Sequence, residues 1–209
     1  RRERYHLCIN GDGLDILQTS FANLANDTVR IVERIRALLA SGLKVFYVVG
    51  NHDIVLEHYF EGFSEIRICP FLNLRAGARR IRIEHGHLYD PLFVKHPRLY
   101  DALTRAAGPL LHVYPDVYRV WSSYEKLKGR VNQRFREQEP SAYHEAAEML
   151  LRRGFDAVVF GHTHRAELLE LLPGKTYVNS GNWMHGGTYV EITNGEIGLH
   201  RWGGEAPTR

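Results

Sequence analysis

Cysteine is scarce in this sequence: Cys8 and Cys69 are the two cysteines in 209 residues, and they form no Cys-x-x-Cys pair. This scarcity argues against a disulfide framework and against a thiolate metal site. Both thiols lie in apolar surroundings, so we expect buried free cysteines. Long apolar runs are also lacking, because none approaches the roughly 18 residues that a membrane-spanning helix needs. No secretory signal peptide is visible.

A strong charge of either sign is missing as well. The chain has 27 Lys and Arg against 24 Asp and Glu, so its formal net charge is +3. This weak positive charge suits an anionic substrate and is little evidence for nucleic-acid binding. Hydrophobic residues make up 44% and charged residues 24%, the profile of a globular protein with one sizeable core. Histidine is the abundant polar residue, with 12 copies.

Apolar runs in the chain alternate with a helical pattern. Short buried strands are predicted at 5–10, 43–49, 80–84 and 156–160. A helix is predicted at 27–41, with Asp27 as its N-cap and Gly42 as its stop. This alternation indicates an α/β sheet that is buried on both faces. Three later strands are predicted to be antiparallel, so the sheet is mixed or two sheets pack together: 176–179, 188–192 and 196–200.

Residues 88–153 have a different character. They are rich in Tyr, Arg and Leu and contain few strand signals. Their last part predicts a helix that starts at an N-cap, Ser141, and stops at Gly154. We interpret residues 88–153 as a helical cap insertion within a single domain of residues 1–209, lying over the ends of the sheet strands.

Four predicted strands end in residues that suit a metal. These residues, in strand order, are Asp12, then Asn51, His52 and Asp53, then His85 and His87, then His162 and His164. Each group alone has an ordinary explanation as a turn or a hydrogen-bonded residue, but four such endings in one chain make coincidence improbable. Because ligand sites collect beyond the carboxyl ends of strands, we expect these side chains to converge. Imidazole and carboxylate ligands favour Mn²⁺, Zn²⁺ or Fe²⁺, and donors from several strands suit a two-metal centre.

The order of these groups resembles the motifs of the calcineurin-like metallophosphoesterase family. The matching segments are NGDGLD (10–15), GNHD (50–53), HGH (85–87), GHTH (161–164) and NSGNW (179–183). The resemblance implies a four-layer α/β sandwich, in which two mixed sheets are flanked by helices. It also implies hydrolysis of a phosphate ester or pyrophosphate by a water activated between two divalent ions. Mn²⁺ is the expected ion, with Zn²⁺, Fe²⁺ or Mg²⁺ as alternatives.

The resemblance also implies a role for each matching residue. Asp12 resembles the carboxylate that bridges the two metals. The remaining ligands of one metal would be Asn51, His85 and His162. His164 would bind the other metal.

His52 resembles the catalytic histidine beside the leaving group, and Asp53 would hold its ring. One family motif has no counterpart here: an Asp-x-His triplet on the first strand, which would bind the same metal as His164. Residues 1–7 contain no such triplet. Because the chain opens Arg-Arg-Glu-Arg without Met, we expect the triplet in a segment that precedes Arg1.

The substrate is less well indicated by the sequence. The cap resembles that of the bacterial branch that cleaves the diphosphate of UDP-2,3-diacylglucosamine, although that branch carries His-Gly-Asp in place of His-Gly-His. Residues that would contact phosphates in such a cap are Arg119, Lys126, Arg130 and Arg134. The plainer interpretation of these four is a solvated basic face.

Two other functions remain open at this stage. One is a generic phosphodiesterase or phosphatase acting on nucleotides, nucleic acid or phosphoprotein. The other is a non-catalytic protein-binding scaffold, as in the retromer subunit that shares this fold. The expected partner is a phosphorylated small molecule or a lipid-linked substrate, in the cytoplasm or, for a lipid, at the inner-membrane surface. The sequence does not indicate an oligomeric state.

Overall fold

The computed structural model describes residues 5–13, 21–53, 66–91 and 133–203. The described elements, in chain order, are β1 (Leu7–Asn10), α1 (Phe21–Ala40), β2 (Val45–Val48), β3 (Arg67–Cys69), β4 (Phe71–Ala76), β5 (Arg79–Glu84), a 3-10 turn (His87–Tyr89), α2 (Gln133–Arg152), β6 (Ala157–Phe160), β7 (Glu167–Leu172), β8 (Lys175–Asn179), α3 (Trp183–Gly186), β9 (Thr188–Thr193) and β10 (Glu196–Arg201). Within these ranges, no helix combines the length and apolar character needed to cross a membrane.

The strands form three hydrogen-bonded groups. β1, β2 and β3 are parallel to one another, and β9 and β10 form an antiparallel pair. The third group has the order β4-β5-β6-β8-β7, with a parallel centre of β5, β6 and β8 and an antiparallel strand at each edge. The α/β sandwich with mixed sheets that the sequence predicts is therefore confirmed.

The strand β6 shows how the layers pack, because its side chains alternate between two cores. Ala157 and Val159 point into an apolar cluster shared with β2, β5 and β8, which the partly buried side chains of β9 and β10 also enter. Val158 and Phe160 point the other way, into a cluster with the buried face of α2. A helix and a second layer of strands thus cover the two faces of the five-stranded sheet.

Both helices begin earlier than the sequence predicts. α1 starts at Phe21, so Asp27 lies within the helix and is not its N-cap. α2 starts at Gln133, so Ser141 lies within that helix. A residue acts as an N-cap only where the residues before it are not helical. Here the turns before both residues are already part of the helix. The predicted stop is confirmed at Gly42, whose φ of 80° places it in the left-handed region.

The later strands differ in part from the expectation. β9 and β10 are antiparallel as predicted. β8 does not join them, because it pairs in parallel with β6 and antiparallel with β7. β3, β4 and β7 were not predicted from the sequence. β7 lies at a sheet edge with Leu168 and Leu169 exposed, so it lacks the alternation of buried and polar residues that marks a strand.

The free-thiol prediction is confirmed for both cysteines, but their burial is only partial. Both side chains border the apolar cluster between the strand layers. Desolvation there, with the neighbouring Cys69, raises the pKa of the Cys8 thiol to about 12. The thiol therefore stays protonated at neutral pH and is a poor nucleophile or metal ligand.

Leu151 offers a direct test of the packing of α2 on the sheet. Its side chain is 0% exposed, so Leu151→Ala should lower the free energy of unfolding by about 2–5 kcal/mol. Met149 in the same helix is 37% exposed, and Met149→Ala should cost well under half as much. Urea unfolding of the three proteins, followed by far-UV circular dichroism, measures both values. Equal losses for the two variants would contradict this packing.

Candidate metal centre

The loops that follow β1, β2, β5 and β6 meet at one end of the strands. Two predicted metal ligands there have a left-handed backbone, with φ of 52° at Asp12 and 57° at His164. Such conformations are costly for residues other than glycine, and they concentrate at functional sites. Gly50 allows the loops to approach closely, because a Cβ at this position would lie 2.1 Å from Asp12 Oδ1.

Three side-chain donors converge around His85, which is 2% exposed. His85 Nε2 lies 3.1 Å from Asp12 Oδ2, 3.2 Å from Asn51 Oδ1 and 3.2 Å from His162 Nδ1. The ligand atoms of Asp12, His85 and His162 all lie within 4.8 Å of one another. The structure therefore brings together the four residues that the resemblance implies for one metal.

The hydrogen bonds behind these rings set their tautomers. His85 Nδ1 lies 3.0 Å from the carbonyl oxygen of Asn10, which can only accept a hydrogen bond. His162 Nε2 lies 3.0 Å from Asp90 Oδ2, which as a carboxylate oxygen also only accepts. Each of these nitrogens therefore donates its proton away from the centre. When the ring is neutral, its other nitrogen presents a lone pair to the centre.

This arrangement fits a divalent cation. Two imidazole lone pairs, an amide oxygen and a carboxylate oxygen face one another, and only a cation or an additional proton relieves their mutual repulsion. In octahedral coordination with bonds of about 2.1 Å, neighbouring donors lie about 3.0 Å apart, close to the distances measured from His85 Nε2. Nitrogen and oxygen donors without thiolate suit Mn²⁺, Zn²⁺ or Fe²⁺.

The charges around the centre reinforce this assignment. Burial disfavours an ionised Asp12, but the hydrogen bond and charge of His85, with the charge of His52, outweigh burial and hold the pKa of Asp12 below its usual value. Burial, with repulsion from His85 and His162, lowers the pKa of His87 to about 4. Asp12 is therefore anionic and His87 neutral at neutral pH, and the centre attracts cations.

His164 also interacts with this group. Desolvation lowers the pKa of His164 against the attraction of Asp12, although its side chain reaches solvent. Asp12, His162, His85 and His52 all contribute electrostatically to this pKa. Its assignment to a second ion stays a prediction.

His52 and Asp53 have different surroundings. His52 is half-buried, and its backbone N–H donates to Asp12 Oδ1 at 3.1 Å. Asp53 is fully buried and accepts hydrogen bonds from the N–H of Gly50 at 2.6 Å, the N–H of Gly13 at 3.0 Å and the hydroxyl of Tyr47. Through these contacts Asp53 connects the loop after β1 to β2 and its loop. The predicted contact in which Asp53 holds the His52 ring stays a prediction.

Asn179 secures the loop that carries His162 and His164. It is fully buried at the end of β8, and its Nδ2 donates to Thr163 Oγ1 at 2.9 Å. Its Oδ1 accepts the N–H of Gly181 at 3.0 Å. The NSGNW segment therefore ties its own loop to the GHTH loop, a role that the motif alone did not indicate.

The structure does not test the predicted phosphate-binding residues of the cap. Arg119, Lys126 and Arg130 lie outside the described residues. Arg134 lies in α2, where only its backbone is described. The cap boundaries, 88–153, and the substrate contacts stay predictions.

Sequence reasoning missed two residues of the centre, Asn10 and Asp90. Asn10 acts through its backbone carbonyl, which no side-chain pattern can indicate. Asp90 follows the HGH motif by three positions, and the available signal was a carboxylate close in sequence to a predicted ligand.

A family model described as calcineurin-like phosphoesterase matches residues 1–166. No curated protein shows a significant match. Among solved structures, a single mutant of Vps29 from Entamoeba histolytica is 15% identical, with a TM-score of 0.42 over 95% of this chain and 75% of that chain. Vacuolar Protein Sorting 29 from Cryptosporidium parvum is 15% identical, with a TM-score of 0.34 over 81% and 72%. Wild-type Vps29 complexed with Zn²⁺ from Entamoeba histolytica is 15% identical, with a TM-score of 0.35 over 78% and 65%. At these TM-scores the three structures carry no functional argument.

Proposed function

Since the chain belongs to the calcineurin-like phosphoesterase family, we propose that it is a metal-dependent hydrolase of phosphate esters or pyrophosphates. The observation that supports this most is the convergence of Asp12, Asn51 and His162 on His85 Nε2, at 3.1 to 3.2 Å. Eroded ligand positions would favour the scaffold alternative, but each of these positions keeps a side chain that can bind a metal.

Four residues would hold the metal: Asp12, Asn51, His85 and His162. A bound divalent ion supplies a Lewis acid that polarises the phosphoryl group and lowers the pKa of water. The side chains contribute rigidity, because the Asn10 carbonyl and the Asp90 carboxylate fix two of the rings and His52 N–H fixes the Asp12 carboxylate. Fixed donors need little reorganisation as charge develops on the phosphoryl oxygens. We propose Mn²⁺ as the ion, with a second ion bound through Asp12 and His164.

His52 is the proposed proton donor in the reaction. It follows β2 directly after Asn51, and its backbone N–H donates to Asp12 Oδ1 at 3.1 Å, so the residue borders the centre. As the water oxygen bonds to phosphorus and the bond to the leaving oxygen breaks, His52 would supply the proton that the leaving oxygen takes up. The water proton leaves to solvent or to a neighbouring imidazole.

For the substrate, we propose a phosphorylated small molecule or a lipid-linked diphosphate such as a UDP-sugar lipid. The centre supports a phosphoryl group as the reacting part, and the weakly positive chain suits an anion. A generic phosphodiester is the competing substrate. Parallel assays with a UDP-sugar lipid and with bis(p-nitrophenyl) phosphate, both with Mn²⁺ added, separate the two.

The proposal predicts a particular behaviour for His52→Ala. Turnover with Mn²⁺ should fall by about 10²–10⁴-fold, because general acid catalysis is lost. Bound metal, measured by mass spectrometry of the dialysed protein, should stay nearly unchanged.

His6→Ala is the matched control for that variant. His6 is exposed at the opposite end of β1, where its Nδ1 accepts the N–H of Lys44 at 3.1 Å. The His6→Ala variant should leave both turnover and bound metal unchanged. A wild-type protein that binds Mn²⁺ but hydrolyses neither substrate class would favour the scaffold over the enzyme.

A further inference from the structure

Asp90 lies directly behind a predicted metal ligand. It follows the 3-10 turn His87–Tyr89, and its N–H donates to the carbonyl of His87 at 3.1 Å, which fixes its backbone. Its Oδ2 lies 3.0 Å from His162 Nε2, and the two side chains are 15% and 13% exposed. The contact is therefore largely shielded from water, where a charged hydrogen bond is stronger than at a surface.

The contact determines which nitrogen of His162 is available to a metal. A carboxylate accepts but does not donate, so it stabilises the tautomer with the proton on Nε2. The lone pair is then on Nδ1, which lies 3.2 Å from His85 Nε2 within the donor group. Without the carboxylate, a neutral imidazole is free to carry its proton on Nδ1, where it would block the metal.

The ring of His162 is also held from a second side. The Tyr143 ring of α2 lies 6.2 Å from the His162 ring, at an interplanar angle of 40°. Tyr143 is 1% exposed and belongs to the buried cluster between α2 and the five-stranded sheet. The packing limits the swing of the ring, and the carboxylate limits its tautomer.

We infer that Asp90 is a positioning residue, whose carboxylate fixes the tautomer and orientation of His162 so that Nδ1 faces the metal. This inference rests on the proposed function, because it assumes that His162 binds a metal. It assigns a role to a residue outside the family motifs quoted above. Carboxylates that orient metal-binding histidines in this way typically change metal affinity by 10–100-fold when they are replaced.

The test is the Mn²⁺ affinity of Asp90→Asn, measured by isothermal titration calorimetry on the full chain. The substitution keeps the size of the side chain and removes its charge, so we expect Kd to rise by about 10–100-fold. Asp156→Asn is the matched control, because Asp156 lies at the opposite end of β6 and its Oδ2 accepts the N–H of Arg80 at 2.8 Å. Its Kd should equal that of the wild type. An unchanged Kd in Asp90→Asn would overturn the inference.

A second measurement needs no variant. Long-range proton–nitrogen correlation spectra of the metal-free wild-type protein above pH 8 report the tautomer of each histidine. We expect the proton of His162 on Nε2, and a proton on Nδ1 would overturn the inference even if Asp90→Asn failed to fold. Failure of the proposed function would show differently, as a wild-type protein that binds Mn²⁺ with normal dependence on Asp90 and yet has no hydrolase activity.

Discussion

Asp12→Ala should abolish both metal binding and metal-dependent hydrolysis. Asp12 supplies the anionic donor to a centre whose other three donors, Asn51, His85 and His162, would bind a metal as uncharged ligands. Its Oδ2 lies 3.1 Å from His85 Nε2, and its other oxygen is held by the N–H of His52. The loss in metal affinity should exceed the roughly 10–100-fold that changes behind a ligand cause, and turnover should fall to background.

Metal content after dialysis and hydrolysis with added Mn²⁺ measure this effect. Glu196→Ala is a suitable control, because it removes an exposed carboxylate on β10 and should change neither quantity. His162→Ala should behave like Asp12→Ala. Full metal-dependent activity in Asp12→Ala would show that the metal binds elsewhere.

Gly50→Ala should be almost as damaging, although it removes no functional group. The added Cβ would lie 2.1 Å from Asp12 Oδ1 and 2.7 Å from the backbone nitrogen of Asp12. Both distances are below the 3.0 Å under which a Cβ contact requires a shift, so the β1 loop must move and carry the carboxylate with it. Because displacement by about 1 Å can cost 10²-fold in rate, we expect losses of at least that size in turnover and a parallel loss in Mn²⁺ affinity.

Gly186→Ala is the matched control for this steric effect. At the end of α3, an added Cβ would meet its nearest neighbour, Thr188, at 3.5 Å, which is an ordinary contact. The Gly186→Ala variant should leave the Mn²⁺ affinity and the turnover rate unchanged. Titration with Mn²⁺ and steady-state rates compare the two variants, and wild-type affinity in Gly50→Ala would mean that the position of Asp12 does not determine metal binding.

The centre could be predicted because its side chains follow buried strands. An apolar run such as 156–160 identifies a strand from its composition, and the polar residue after it must then lie at the strand end. The parallel pairing of β1 with β2, and of β5 with β6, brings those ends together within each sheet. Packing of the two layers then brings the two pairs of ends together, and the match of the family model to residues 1–166 confirms the family.

Other features depend on contacts that a sequence pattern does not encode. The roles of Asn10 and Asp90 come from a carbonyl and a carboxylate that lie behind the rings in space, 75 and 72 positions away from their partners along the chain. The start of α1 at Phe21 depends on helical turns that continue past the nominal cap Asp27. β7 is an edge strand in which Leu168 and Leu169 are exposed, so its sequence shows no clean alternation.

The position of β6 has a consequence for local opening of the protein. All four of its residues are buried, and it has a hydrogen-bonded neighbour on each side. Segments of this kind exchange their amide protons only when the whole domain unfolds. The loop that carries His162 follows this strand directly. His162 should therefore keep its position during smaller local openings, such as the separation of β1 from β2. The slowing of amide exchange caused by added metal should therefore be smallest in β6, which is already protected, and largest in the β1 loop.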